Sequence, residues 1–396
     1  MHTSGEPTRI VYSGYPELPG KLLQQREEAI AHHDHIRRAL ICEPRGHREM
    51  YGAVLCRRTE LTESGKAHVG VLFLTNDGYS TMCGHATLAL ARLIVDQAGS
   101  SDKKLFVLDQ GKDLIYDPKT GEMAVDLHVP CGLVAAKVPV TLTSEDTWKT
   151  DMSRMTSYDS VPSWEAHSSM CTDISEPSLR WPELGDRSKV WYDAAYGGAF
   201  YIVVSAKELG FVTDVLESIT PSTLAALSNA TRLFKEDFNR YEDAFPRLTR
   251  LLHPDYPAKQ ELYGTIVTSP CNRPSAEAGL PPNADLGLCF FANQQVDRSP
   301  TGSGVQARVA LAFGAGKVGM NEPRTYHSPL SIAHGGEGAF VGEVIDTEDV
   351  GGGINAVKVK ISGKARYTGC SSFVIENDDE IGKGFWFDEL GQTSKN

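Results

Sequence analysis

Short apolar runs bounded by glycine, asparagine and aspartate recur along the chain, and each predicts a strand. Val69-Gly70-Val71-Leu72-Phe73-Leu74 is apolar without alternation, as expected of a strand covered on both faces, and Asn76-Asp77-Gly78 behind it is a turn. The next stretch, Met82 to Val95, predicts a helix that is apolar nearly all round and therefore belongs inside a core. Ahead of these lie a short strand at 8–12, a turn cluster from Gly14 to Gly20 and a charged helical segment at 21–40. Further strands are predicted at 104–108, 123–128, 134–140, 190–193 and 195–204, the last two meeting near Gly197-Gly198. A helical region at 221–252 and strands at 263–268 and 286–292 follow, and the chain closes with strands at 340–344, 356–361 and 372–375. Between 144 and 188 the alternation disappears and Ser, Asp, Pro and Met rise, which reads as an inserted loop; Trp148, Trp164 and Trp181 inside it argue that it packs rather than floats.

A second stretch repeats the buried-helix pattern. Laying Thr301-Gly302-Ser303-Gly304-Val305-Gln306-Ala307 on the first sets Thr301 on Cys83, Gly302 on Gly84, Gly304 on Ala86 and Ala307 on Ala89. Each stretch follows an apolar strand and a polar turn, so the chain reads as two related α/β halves, each a mixed sheet wrapped around a central helix. A length of 396 residues suits at least two domains. The expected division is 1–140 joined by C-terminal strands at 372–396, and 141–371 carrying the insertion 144–188, with a site where the halves meet.

Charge and cysteine usage narrow the function classes. With 39 basic and 51 acidic residues the net charge is −12, which disfavours a nucleic-acid partner. No run of about 18 apolar residues occurs and the N-terminus lacks the apolar core of a signal peptide, so neither a membrane partner nor secretion is expected. The eight cysteines form no CxxC pairs and imply reduced thiols in a cytoplasm. His32, His33 and His35 sit on a charged helix face without further residues to complete a ligand spacing, so no metal is expected.

The chemistry concentrates at the two helix starts. Cys83 sits where unpaired N–H groups and the helix dipole favour a thiolate, although a small buried cysteine with no role fits the same position. If both helix starts face one cleft, the backbone N–H groups of Gly84, His85, Gly302 and Ser303 can hold a substrate carboxylate, with Asp297 pairing its ammonium group. Asp297 is equally a turn or capping residue in this context, and the glycines equally serve tight packing. His85 either orients the thiol through its ring or contributes only its backbone N–H, and Phe291 either packs on the substrate or belongs to the core.

Several separated motifs together resemble the proline racemase family: His2-Thr3-Ser4-Gly5-Glu6-Pro7-Thr8-Arg9, Glu43-Pro44-Arg45-Gly46-His47, Met82-Cys83-Gly84-His85, Asp193 with Tyr196-Gly197-Gly198, Asp297-Arg298-Ser299-Pro300, and Gly302 with Gly304. The match runs from residue 2 to about Phe385. The resemblance implies two pseudo-symmetric domains with barrel-like sheets, C-terminal strands that return to the first domain, strand residues ahead of His2-Thr3, and a homodimer. It also implies two opposed cysteines as acid and base, of which the first is matched by Cys83 and the second falls on Thr301. A hydroxyl is too weak an acid or base near neutrality to exchange a Cα proton, so racemisation is expected to fail. The resemblance is then closest to the branch with threonine at this place, the trans-3-hydroxy-L-proline dehydratases. In that reading Thr301 either hydrogen-bonds the leaving hydroxyl or caps its helix. No metal, pyridoxal phosphate or nucleotide is called for, since the thiolate and the helix termini supply base and electrostatic support. The competing readings are a proline or hydroxyproline racemase or epimerase, and an inactive amino-acid-binding protein on the same fold.

Overall fold

A computed structural model describes residues 1–100, 105–106, 113–143, 147–244, 251–253, 262–271, 280–281, 283–376 and 378–387. The chain divides into two units, residues 1–156 with 365–396, and residues 157–364.

In the first unit, Arg9–Val11 runs parallel to Gly52–Cys56, and the helices Leu22–His32 and Asp34–Ile41 fill the crossover between them. Gly52–Cys56 pairs antiparallel with Val69–Leu74, which is buried along its whole length as its unbroken apolar character requires. The turn after it closes when the Thr75 N–H donates to the Gly78 carbonyl at 2.8 Å, and Tyr79–Ser80 folds back on Phe73 and Leu74. The helix Gly84–Gly99 then carries the chain across to Glu122–Val129, which lies parallel to Val69–Leu74. A hairpin returns the chain as Gly132–Leu142, and Trp148–Thr150 pairs with that strand's end. Glu122–Val129, Gly132–Leu142 and Trp148–Thr150 pack on the helix. His2–Thr3 and Ala365–Arg366, which pair with each other, cover it as well. Its far end is latched where Trp148 Nε1 donates to the Val95 carbonyl at 3.0 Å, and where Asp96 meets Arg92 at 3.2 Å and accepts from the Tyr367 hydroxyl at 3.0 Å.

The second unit repeats this order of elements. Phe200–Ser205 runs parallel to Leu262–Pro270 across the helix Pro221–Ala244, and Leu262–Pro270 pairs antiparallel with Ala284–Phe291. Gln295–Val296 folds back on Phe290 and Phe291 as Tyr79–Ser80 does on Phe73 and Leu74. The helix Gly302–Gly314 then crosses to Arg324–His327, parallel to Ala284–Phe291. Phe340–Asp349 and Asn355–Gly363 extend this side of the sheet, while Lys189–Tyr196 and Trp164–Asp173 extend the other. Ser163 bridges to Val357 and joins the two ends, so the sheet closes around its helix. Two units with the same strand, hairpin, helix and parallel-return order are the pseudo-symmetric α/β halves expected from the repeat.

Several expectations change. The segment 144–188 is not a bare loop: Trp148–Thr150 belongs to the first unit's sheet and Trp164–Asp173 to the second's, and Trp164 and Trp181 are buried. Bulges between Glu165 and Met170 hid the strand, because they break the two-residue alternation that marks one. A boundary at 140 cuts through Gly132–Leu142, and the division falls at 156. The return of the chain to the first unit is a single short strand, Ala365–Arg366, and the described part of 372–396 contains no strand. Phe373, Val374 and Ile375 are apolar enough to predict one there, but they are 41, 75 and 44% exposed and pair with no sheet edge among the described residues. The segment 21–40 is broken into two helices at His33. Most of the strand expected at 104–108 and the end of the helix expected at 221–252 lie outside the described residues.

Gly197 shows how closely the second sheet grips its helix. A Cβ there would lie 2.2 Å from the Ser303 carbonyl oxygen and 2.8 Å from the Ala307 nitrogen, both backbone atoms that cannot swing away. Gly197→Ala is expected to destabilise the protein by about 1–3 kcal/mol, read as a lower urea midpoint at unchanged slope.

Candidate active site

The first helix start is built from Cys83 outward. Cys83 is the N-cap of Gly84–Gly99, with an extended backbone (φ −149°, ψ 109°) that aims its side chain back over the first turn. Its Sγ accepts the Ala86 N–H at 3.4 Å, and the Thr87 hydroxyl closes the turn onto the Cys83 carbonyl at 2.7 Å. The thiol is therefore the group that caps this helix, and Ala86 is the first-turn donor that reaches it. Both ring nitrogens of His85 lie 3.4 Å from the same Sγ, so the imidazole packs against the sulfur. Of the two roles open to His85, the ring contact is thus present. Burial pulls the imidazole down to about 3, which keeps it neutral at any ordinary pH.

Residues outside the predicted set hold this arrangement. The Thr3 hydroxyl donates to the His85 carbonyl at 2.8 Å, which gives the His2-Thr3 motif a structural purpose. The Tyr51 ring meets the His85 ring edge-to-face at 4.8 Å, and its hydroxyl is hydrogen-bonded to Ser80 Oγ. Sequence reasoning missed Thr3, Tyr51 and Ser80 as supports. Only the presence of Thr3 inside a family motif pointed to any of them.

The second helix start uses different means. Asp297 and Ser299 turn the chain: the Asp297 carboxylate accepts the Ser299 N–H at 2.8 Å, and Ser299 Oγ accepts the Thr301 N–H at 3.1 Å. The Asp297 N–H donates to the Cys289 carbonyl at 3.0 Å, which ties the turn to the sheet. Asp297 is 2% exposed, and burial pushes its carboxyl up to about 6, against the opposing pull of the donors around Ser299. Asp297 is therefore a turn residue whose buried carboxyl holds a proton more readily than a free aspartate does.

Thr301 occupies the N-cap position of Gly302–Gly314 at φ 66° and ψ 97°, a backbone conformation that β-branched residues rarely adopt and that costs on the order of 1–3 kcal/mol. Its side chain makes no capping bond, which removes the capping role from the two considered for it. The hydroxyl is near enough to Asp297 to favour the charged carboxylate but does not reach hydrogen-bonding geometry, and among the described residues Oγ1 is buried without a hydrogen-bond partner. Ser303 spends its hydroxyl on Tyr201, 2.7 Å away, leaving its backbone N–H as the part available at the helix start. Gly302 begins the helix, and Gly304 admits the Ile266 and Thr301 methyl groups that a Cβ would displace. Phe291 is buried and stacks at a tilt on Tyr263 with centroids 5.6 Å apart, a core position. The structure thus gathers Cys83, Gly84 and His85 at one helix start, and Asp297, Thr301, Gly302 and Ser303 at the other. Among the described residues no three His, Cys, Asp or Glu side chains cluster as metal ligands, and no helix is long and apolar enough to cross a membrane.

A family model described as proline racemase matches residues 1–386. Trans-L-3-hydroxyproline dehydratase of Bos taurus is 40% identical over 386 residues, covering 97% of this chain and 92% of that protein. Trans-3-hydroxy-L-proline dehydratase of Homo sapiens is 40% identical over 388 residues with the same coverage, and that of Colwellia psychrerythraea is 30% identical over 389 residues, covering 97% and 90%. A solved structure of a hydroxyproline epimerase from Agrobacterium vitis, with bound trans-4-hydroxy-L-proline, aligns with a TM-score of 0.73 at 20% identity over 98% of this chain and 94% of that one. A likeness at that level of identity establishes the fold.

Asp297 offers a test that needs no substrate. Its folded-state pKa near 6 lies above the value of about 4 for an unfolded aspartate, so the folded protein binds this proton more tightly. The resulting penalty is absent below about pH 4 and grows as pH rises through about 6. Asp297→Asn is therefore expected to raise urea stability at pH 8 by about 1–2 kcal/mol after the loss of charge-assisted bonding to Ser299, and to have little effect at pH 4.

Proposed function

The chain belongs to the proline racemase family, and from that premise we propose that it is a cofactor-independent hydro-lyase converting trans-3-hydroxy-L-proline to Δ1-pyrroline-2-carboxylate. The observation that carries the reading is the pairing of a retained Cys83 with Thr301 at the equivalent position of the second half, where a second thiol is needed for inversion. The names of the relatives at 40% identity support it.

Cys83 as thiolate takes the Cα proton, forming S–H and breaking Cα–H. The electron pair left on Cα forms the Cα–Cβ double bond as the C3–O bond breaks and its pair leaves with oxygen. In the trans substrate the 3-hydroxyl is opposite the carboxylate, hence on the ring face of the Cα hydrogen, so the same thiol can return its proton to the departing hydroxide as water. The enamine tautomerises to the cyclic imine, and the thiolate is restored. A base that recovers its starting state in each turnover needs no opposed partner.

In this reading the backbone N–H groups of Gly84, His85, Gly302 and Ser303 hold the carboxylate. The substrate's ring ammonium pairs with the buried Asp297 carboxylate. Thr301, with no bond to its own helix, donates to the leaving hydroxyl. The protein acts as a homodimer in the cytoplasm, with no nucleic-acid partner.

The direct measurement is imine formation from trans-3-hydroxy-L-proline beside the cis and 4-hydroxy isomers. Turnover is expected for the first alone, and Cys83→Ser is expected to lower kcat by at least about a hundredfold. Deuterium at Cα together with D-proline, formed from L-proline in heavy water, would instead establish a racemase; binding without turnover of any isomer would establish a binding protein. Thr301→Cys is expected to introduce Cα inversion, detected as the D-enantiomer carrying solvent deuterium.

A further inference from the structure

The two helix starts occupy equivalent positions of the repeat, yet their first residues behave differently. Cys83 has an extended backbone, and its side chain accepts the N–H of Ala86. That is the ordinary N-cap arrangement, and threonine is among the residues that adopt it readily. Thr301 does not adopt it. Its side chain makes no bond to the turn it precedes, its backbone sits at φ 66°, and its hydroxyl is buried without a hydrogen-bond partner among the described residues. An extended Thr301 would relieve the backbone and satisfy both its hydroxyl and a first-turn N–H, so something must hold the residue out of that conformation.

The Thr301 backbone is held at both of its polar atoms. Its carbonyl accepts the Val305 N–H at 2.7 Å, the first bond of the helix, and its own N–H donates to Ser299 Oγ at 3.1 Å. The carbonyl bond forms at any N-cap, whereas the bond to Ser299 comes from a side chain outside the helix. Ser299 is fully buried and is itself fixed. Its N–H donates to the Asp297 carboxylate at 2.8 Å, and the carbonyl of Arg298 before it accepts from Ser328 Oγ at 2.6 Å. Pro300 after it restricts its backbone to extended conformations. Gly304 supplies the room that Thr301 then needs: a Cβ there would lie 3.0 Å from the Thr301 methyl group, whereas the equivalent residue at the first helix start is Ala86.

We propose that Ser299 is a positioning residue for the proposed dehydration: its hydroxyl holds the Thr301 N–H and with it the positive φ, so that Thr301 does not cap its own helix, and both its hydroxyl and the first-turn N–H groups stay available to the substrate. The inference rests on the reading of Thr301 as donor to the leaving hydroxyl and of the first turn as a carboxylate site, but one arm of its test needs no turnover. The crystal structure of Ser299→Ala is expected to show Thr301 at negative φ, with Oγ1 accepting the N–H of Ser303 or Gly304. With trans-3-hydroxy-L-proline, Thr301→Val is expected to lower kcat about tenfold, the worth of one hydrogen bond to a group that gains charge. Ser299→Ala should lower kcat as much and also raise KM about fivefold, because the relaxed hydroxyl now occupies a first-turn N–H. In the double variant kcat should fall no further than in Thr301→Val, and KM should return to the Thr301→Val value, since valine cannot cap. General damage to the site would instead lower kcat further and leave KM raised. Ser299→Cys, of similar size but with a weaker acceptor, is measured in the same way if the alanine variant does not fold. Thr301 still at positive φ without the serine, an unchanged kcat, or a KM that stays raised in the double variant overturns the proposal. A capped Thr301 in the Ser299→Ala structure, when the native protein turns over no hydroxyproline, would sink the dehydratase reading and leave the hold of Ser299 on Thr301 standing.

Discussion

A helix enclosed by its own sheet meets ligands only at its ends. Gly84–Gly99 and Gly302–Gly314 are both buried over most of their length, so their side chains are committed to packing and their interior N–H groups to the helix. What remains are the unpaired groups of their ends, among them the first-turn N–H donors. The strand order in each unit, the hairpin before each helix and the parallel strand after it serve to hold that end in place.

The two ends meet this constraint in opposite ways. At the first, the structure supplies its own anion-like acceptor: Cys83 in an extended conformation places sulfur against the Ala86 N–H, and a neutral His85 lies beside it. At the second, Thr301 is held at positive φ and its hydroxyl makes no capping bond to the helix it precedes. A satisfied cap would cost less. The strained backbone persists because Asp297 and Ser299 fix the turn on one side and Tyr201, Ser303 and Gly197 fix the helix on the other. The first end is thus capped by a thiol, whereas the second has a buried carboxylate and a hydroxyl that its own helix does not use.

Electrostatics divide along the same line. Burial is the largest influence on both His85 and Asp297, yet it acts in opposite senses, keeping the base neutral and the acid partly protonated near pH 6.

The sequence by itself determined the two buried helices, the strand before each and the chemical identity of the residues at their starts, because apolar periodicity and turn residues are local properties. It also exposed the exchange of a thiol for a hydroxyl, since that is a matter of which residue stands at an aligned position. The strand Trp164–Asp173 was not legible, because its bulges break the alternation, and apolar character at Phe373 to Ile375 misled, because a strand needs a partner edge as well as a suitable sequence. Only the tertiary structure decided that the His85 ring, rather than its backbone alone, reaches Cys83, and that Thr301 does not cap its helix. Those outcomes depend on torsion angles set by Thr3, Tyr51, Ser299 and the enclosing sheets, which are distant in the chain or silent in its pattern. Orientation at a helix start is imposed by what packs around it, and no local run of residues encodes that.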